Sequence, residues 1–297
     1  MKTFAITGVA GYIAPRHLKA IKDTGNVLIA ATDPHDSVGI LDQYFPETAY
    51  FREFERFDRH LDKLKHTEKK VDYISICSPN HLHDAHIRLA LRIGADAICE
   101  KPLVLNPWNL DALAELEKEY AKKIYTVLQL RLHPALMKLK ESLDAEPKGK
   151  KHKVELTYIT SRGPWYRYSW KGDHQKSGGI ATNIGIHFFD MLTWMFGNYS
   201  DAEVEFSESE RMKGKMSLEN AEVDWFLSID AKDLPKEAID AGRRTHRSIK
   251  IDGNEIEFTD GFTDLHRDVY RDILAGNGFG IEDARNSIEL VYRLRGK

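Results

Sequence analysis

Phe4-Ala5-Ile6-Thr7-Gly8-Val9-Ala10-Gly11-Tyr12-Ile13-Ala14 is the stretch on which the fold turns. A short apolar run ends in glycine, a second glycine follows three positions later, and a helical pattern through Ile13, His17, Leu18 and Ile21 then runs until Gly25. Strand, glycine turn and helix in that order form a variant of the G-x-G-x-x-G loop. Gly8 permits the tight turn and Gly11 lets the backbone approach a pyrophosphate at the helix N-terminus, with Tyr12 and Ile13 beside it. Ala10 and Ala14 stand where two further glycines are usual. Val27-Leu28-Ile29-Ala30-Ala31-Thr32 reads as the second strand and ends in Asp33-Pro34. An acidic side chain about twenty residues beyond the loop is placed to bond ribose hydroxyls and to repel a 2′-phosphate. Asp33 therefore predicts NAD rather than NADP, unless it only caps the turn before Pro34.

Outward from this unit, strands and helices alternate. Ala49-Tyr50-Phe51, Val71–Cys77, Gly94–Cys99 and Ile124–Gln129 read as strands. Helical patterns lie near 54–66, up to Leu91, and from 107 to 120, the last with Asn106 as its expected cap. This alternation predicts a doubly wound parallel sheet, hence an α/β class. Ala97-Ile98-Cys99-Glu100-Lys101-Pro102-Leu103 ends its strand at a proline, which puts Lys101 on the sheet edge where ligands bind. A lysine there is a candidate acid, base or oxyanion partner, against the plainer reading of a surface ion pair. Ser78, Asn80 and His83 follow the fourth strand to the same edge and suit a nicotinamide ribose, and Gln129 ends the sixth strand. His81, His83 and His86 invite a metal reading, but a helix start spreads them and no carboxylate or thiol set completes a site; no metal is expected.

After Leu130 the alternation stops. Val154–Thr160 and Ala221–Ile229 alternate apolar and polar residues, and Arg247–Phe258 around Asp252-Gly253 reads as a hairpin. These predict half-buried antiparallel strands with one face open for a subunit contact. The expected domains are 1–129, binding the dinucleotide, and 130–297, an α+β substrate and oligomerisation domain with an open, mostly antiparallel sheet. Residues 161–190 begin with aromatics and arginines and end in a helix on which Asn183, His187 and Asp190 share a face, beside glycines that suit close backbone approach. The segment from Gly261 onward reads as closing packing.

Composition narrows the function. The chain has 297 residues, 42% of them hydrophobic, and a net charge of −3 with dispersed basic residues. That removes the footprint of a nucleic-acid binder. The Lys148–Lys153 run is most simply a solvated connection. Cys77 and Cys99 both end apolar runs and read as buried free thiols in a reducing cytosol. No apolar run approaches the roughly 18 residues of a membrane span. A cytoplasmic protein without membrane or nucleic-acid partners is expected.

Together the Gly-x-x-Gly loop, Ser78-Pro-Asn-x-x-His83, Glu100-Lys-Pro and Ser177-Gly-Gly-x-x-x-Asn183-x-Gly-x-His187-x-x-Asp190 resemble the glucose-fructose oxidoreductase and inositol dehydrogenase family, from Met1 to about Arg295. More closely, the runs 98–108 and 178–190 resemble its bacterial UDP-N-acetyl-2-amino-2-deoxyglucuronate dehydrogenases. These oxidise the sugar at C3 on the way to diacetamido-uronic acids of surface polysaccharide, such as lipopolysaccharide O-antigen. The resemblance implies NAD as cofactor, assembly as homotetramers through the second-domain sheets, and Lys101 and His187 near the reacting hydroxyl. His187 is the preferred base, with Lys101 polarising the oxygen and the reverse left open. It implies that Glu100 orients Lys101, that Trp170-Lys171 stands for a Trp-Arg cofactor contact, and that Tyr166 lines the substrate site.

Relatives commonly carry Asp where this chain has Asn183. An amide removes a negative charge and cannot take a proton, which suits an anionic sugar nucleotide with Arg131, Arg162 and Arg167 as counter-charges; solvated loop arginines are the plainer reading. NADH recycled in place by a 2-oxoacid such as 2-oxoglutarate is a further implication. Two other readings stand: a dehydrogenase of a free sugar or polyol, and a non-catalytic nucleotide-sensing regulator on the same fold.

Overall fold

The computed structural model describes residues 1–147, 149–256 and 264–296. β1 (Thr3–Thr7), β2 (Val27–Thr32), β3 (Ala49–Phe51), β4 (Tyr73–Ile76), β5 (Asp96–Cys99) and β6 (Ile124–Thr126) form an all-parallel sheet in the order β3-β2-β1-β4-β5-β6. Every residue of β4 is buried, as is all of β1 after Thr3. Continuous apolar strands of this kind form because helices cover both faces. The strand order runs outward from β1 in both directions, so the switch point lies between the carboxyl ends of β1 and β4. The first connecting helix, Ala14–Asp23, turns Ala14, His17, Leu18, Ala20 and Ile21 inward.

Two local expectations change. The helix Trp108–Tyr120 has Pro107 at its cap position and no side-chain cap, because Asn106 accepts the Asn109 N–H through its backbone carbonyl. The sixth strand is shorter than expected, and Gln129 starts a 3₁₀ turn instead.

The chain divides into two compact units, Met1–Gln129 with Thr263–Ala284, and Leu130–Phe262 with Arg285–Lys297. The helix Leu265–Leu274 thus belongs with the first unit rather than with 130–297, because it packs on the helix Ala14–Asp23 and buries Leu265, His266, Val269, Tyr270 and Ile273. Tyr270 stacks on Phe4 of β1 at a ring separation of 5.8 Å.

The second unit holds β7 (His152–Thr160), β8 (Tyr199–Ser207), β9 (Arg211–Leu218), β10 (Ala221–Ser228), β11 (Thr245–Ile251) and β12 (Asn254–Glu255), in the order β12-β11-β7-β10-β9-β8. All neighbours are antiparallel except β7 and β10, which pair in parallel from His152↔Ala221 to Ile159↔Ser228. The sheet is therefore mixed, since β10 returns beside β7 only after β8 and β9 have been laid down. Of the expected hairpin, β11 and β12 are present, while Glu257 and Phe258 lie outside the described residues, as does Gly261. The inner face packs on the helix Ile186–Phe196, where Phe189 meets Trp225 edge-on at 5.4 Å. Gly185 serves this packing rather than a substrate: a Cβ there would lie 2.6 Å from Leu227 Cδ1 and 2.8 Å from Phe189. Among the described residues no helix is long and apolar enough to cross a membrane.

Candidate active site

The chain leaves β1 through Gly8 at φ +75°, and the Gly8 N–H donates to the Thr32 carbonyl at 2.9 Å. A Cβ at Gly8 would sit 2.5 Å from the Cys77 carbonyl oxygen and 2.6 Å from the Ser78 nitrogen. Only glycine fits, because the loop backbone lies directly on the end of β4. The helix that follows has Ile13 at its cap position and no side-chain cap; the Ala14 N–H turns to the Gly11 carbonyl at 3.2 Å, Pro15 has no N–H, and the Arg16 N–H turns to the Ile13 carbonyl at 3.0 Å, so this first turn is satisfied within the loop itself. Tyr12 is exposed beside it. Asp33 is buried; one carboxylate oxygen accepts the Ala10 N–H at 3.0 Å and the other the His35 N–H at 2.9 Å. Asp33 thus caps the turn before exposed Pro34 and also pins the glycine loop, and its carboxylate keeps lone pairs beyond these two bonds. The glycine loop on the end of β4 and the carboxylate at the end of β2 fit a dinucleotide.

The ends of β4 and β5 lie beside this loop. Ser78 and Asn80 are buried there. His83 is also buried, but its ring serves the scaffold: Nδ1 lies 2.7 Å from the Pro102 carbonyl and Nε2 2.9 Å from the Ser78 carbonyl. This corrects the ribose role expected of His83, since both ring nitrogens brace the two strand ends against each other. Burial lowers its pKa, opposed by the carbonyls of Pro102 and Ser78. His86 takes Ser78 Oγ at 2.9 Å and Thr7 Oγ1 at 3.0 Å on Nδ1, while His81 is exposed, so the three histidines point to separate tasks.

Lys101 follows β5 on the same edge, half-buried, and its bond to Pro102 is cis. Glu100, its predecessor, is at the centre of a buried network. Glu100 Oε1 lies 2.9 Å from His17 Nε2 and 3.1 Å from His266 Nε2. His17 Nδ1 is 2.8 Å from the Tyr270 hydroxyl, which is 2.6 Å from Ser75 Oγ. Burial works against a charge on Glu100, yet the bonds from His17 and His266 hold its carboxyl well below the usual range. Burial lowers the pKa of His17 and pushes that of Tyr270 well up. These directions assign the protons: Tyr270 donates to His17 Nδ1, and neutral His17 donates from Nε2 to ionised Glu100. His17, His266 and Tyr270 are the residues that sequence reasoning misses. Each occupies an ordinary core position in its own helix, and the sole local hint is an imidazole on the buried stripe of Ala14–Asp23. Cys77 and Cys99 are free, buried thiols, kept protonated by burial.

In the second unit, Asn183 Nδ2 donates to the buried Tyr166 hydroxyl at 2.6 Å. Asn183 lies in a π-helical turn, Ala181–Gly185, that runs into the helix carrying His187, and both residues are half-buried. Lys171 Nζ sits 5.1 Å from the Trp165 ring and 5.6 Å from the Trp170 ring, and burial lowers its pKa with help from Arg162. Arg162 is exposed. Two other arginines do not serve as expected. Arg131 is buried and forms a bidentate pair with Asp190, Nη2 to Oδ1 at 2.8 Å and Nε to Oδ2 at 3.1 Å, which neutralises its charge inside the unit. Arg167 is exposed and paired with Glu210.

The family model described as oxidoreductase family, NAD-binding Rossmann fold, matches residues 2–128, and its companion, oxidoreductase family, C-terminal alpha/beta domain, matches residues 141–226. The chain belongs to this oxidoreductase family. Within this family's solved structures the chain is similar to the WlbA (WbpB) dehydrogenase from Thermus thermophilus, at 53% identity and TM-score 0.96 over 99% of this chain and 95% of that one. That protein was crystallised with NAD and UDP-GlcNAcA, and with NAD and alpha-ketoglutarate. The WlbA dehydrogenase from Bordetella pertussis shares the fold at 17% identity and TM-score 0.79, over 100% of this chain and 96% of that one. Inositol 2-dehydrogenase from Rhizobium meliloti (strain 1021) is 28% identical over 198 residues, 65% of this chain and 54% of that protein. The matched stretches cover between 36% and 54% of the length of the first curated relatives.

Proposed function

We propose that this protein is an NAD-dependent dehydrogenase that oxidises the C3 hydroxyl of UDP-N-acetyl-2-amino-2-deoxyglucuronate to the 3-keto sugar nucleotide. The observation that carries the reading is the 53% identity, over almost the whole of both chains, with an enzyme crystallised with NAD and UDP-GlcNAcA. The glycine loop at the switch point and Lys101 on the same sheet edge support it. Oxidising a secondary alcohol removes a hydride from carbon and a proton from oxygen, and bound NAD supplies the hydride acceptor. Gly8, Gly11, Tyr12, Ile13, Asp33, Ser78 and Asn80 are the residues proposed to hold it, with Trp170 and Lys171 from the second unit. His187 is proposed to take the hydroxyl proton while Lys101 polarises the oxygen. Asn183 and Tyr166, joined by their hydrogen bond, are proposed to present a polar, uncharged surface to the uronate, with Arg162 as counter-charge.

The Thermus protein's complex with alpha-ketoglutarate supports a 2-oxoacid as the second substrate that regenerates NAD in place. Cytoplasmic location, a role in surface-polysaccharide synthesis and tetramer formation through the open face of the second sheet belong to the same proposal. Its test is the reduced-nicotinamide absorption band of purified protein with NAD, before and after the UDP-uronate and then 2-oxoglutarate. The band should rise with the sugar nucleotide and fall with the oxoacid. A rise with myo-inositol or a free hexose and none with the UDP-uronate would replace the substrate.

A further inference from the structure

We propose that His17, His266 and Tyr270 are positioning residues that hold Lys101 in its working geometry by clamping the carboxylate of Glu100. The inference deepens the function above, since it rests on Lys101 acting on the substrate hydroxyl. Three separate stretches of the first unit meet at one oxygen atom: His17 from the helix after the glycine loop, Glu100 from the end of β5, and His266 from the helix Leu265–Leu274. His17, Glu100 and His266 are each less than a tenth exposed, and Tyr270 is fully buried. The bonds run one way, from Ser75 to Tyr270 to His17 to Glu100, and each donor has a single acceptor to find.

Such a chain fixes the imidazole tautomer and aims both Nε2–H groups at the carboxylate. A buried polar group is expensive unless satisfied, so the carboxylate fixes the backbone of residue 100, and Lys101 hangs from the next α-carbon. Because His17 stands at the fourth position of the helix that the glycine loop opens, the same clamp sets the loop's helix against the lysine. The groups that face Glu100 are His17, His266, His83, Cys77, Cys99 and Tyr270. Burial favours the neutral forms of His17, His83, Cys77, Cys99 and Tyr270, while the Glu100 carboxylate stays ionised and places its negative charge one residue from Lys101.

His17, Glu100 and His266 also have metal-ligating chemistry, with all three ligand atoms within 4.8 Å of one another. Separations of 2.9 and 3.1 Å from the nitrogens to Oε1, with His17 held from behind by a phenol, are those of hydrogen bonds.

The experiment compares Tyr270→Phe, His266→Gln and Lys101→Met in the full-length protein, with NADH affinity, melting temperature, kcat, KM for the UDP-uronate and the pH profile of kcat measured for each. Lys101→Met should lose roughly a hundredfold or more in kcat, as expected when a proton-handling group is removed. Tyr270→Phe and His266→Gln should each lose about tenfold in kcat, keep KM and NADH affinity within about twofold, and displace a limb of the pH profile. Added to Lys101→Met, neither should cost anything more, because both act through the lysine. A fall in melting temperature with kcat and pH profile unchanged, or full additivity with Lys101→Met, overturns the clamp and leaves the function standing. An unchanged kcat in Lys101→Met overturns the functional reading first. One equivalent of divalent metal in the purified protein also overturns the clamp, since the same atoms would then hold the ion.

Discussion

His17 Nε2 and Glu100 Oε1 lie 2.9 Å apart in the interior of the first unit, although 83 residues separate them in sequence. Hydrogen bonds to a charged group contribute roughly 1.5–3 kcal/mol each. Glu100→Gln keeps the shape and removes the charge, so it should lower stability near neutrality by about that amount. The folded pKa of Glu100 is depressed, so its contribution is full above the ordinary value of 4.5 and is lost as pH falls toward the folded value. Urea unfolding of both proteins near neutrality and in acid should show the gap closing as the pH drops.

His86 is the second source of acid sensitivity. Burial lowers its pKa from 6.5 to about 3, with His83 and His81 adding to the effect, and its ring stacks on Phe54 at 4.6 Å. An imidazole kept neutral by the fold destabilises that fold when the unfolded chain gains a proton. Stability should fall by about 1.4 kcal/mol per pH unit below 6.5 on account of this residue. In His86→Gln, whose amide does not titrate, that slope should disappear from unfolding curves collected across the same range.

Gly8→Ala tests the loop. The added carbon meets the Cys77 carbonyl and the Ser78 nitrogen at a positive φ, so the backbone must move. Strain of roughly 1–3 kcal/mol is expected, with a loss of NADH affinity larger than the fall in stability suggests. Fluorescence titration beside a thermal melt separates the two.

Arg131→Lys leaves a cation but not the fork that meets Asp190. Breaking a buried pair of this kind costs about 3–5 kcal/mol, and lysine should recover little of it. If Arg131→Lys melts like the parent protein, the pair carries no stability.

Asn183→Asp introduces a carboxylate beside the Tyr166 hydroxyl. It should weaken turnover of the UDP-uronate by about tenfold or more, a cost of about 1.4 kcal/mol or above, and leave a neutral UDP-sugar within about twofold. Equal losses for the two substrates would remove the charge argument.

The parallel sheet, the glycine turn and the placement of Asp33 and Lys101 beyond strand ends were legible because each has a local signature: buried strands read as apolar runs, and turns demand glycine or proline. β8 and β9 were not read as strands, although Met212, Gly214, Met216 and Leu218 alternate along β9 and mark its buried face. The charges between them and in β8 hide that rhythm. The parallel pairing of β7 with β10 had no local signal, since register between strands so far apart is set by the sheet as a whole. Arg131 looked like a substrate cation because nothing near it in sequence announces Asp190. The Glu100 network was illegible for the same reason, its partners being 83 and 166 residues away.

The return of Thr263–Ala284 to the first unit bears on how the molecule is made. A ribosome releases the β1–β6 sheet long before it supplies His266 and Tyr270, so the nascent nucleotide half waits with Glu100 short of a partner and the flank of its first helix bare. N-terminal segments ordinarily mature first during translation. Here the β1–β6 half can reach its final interior only after the strands of the second unit have been made, which links completion of the lysine's surroundings to synthesis of a segment far downstream of it.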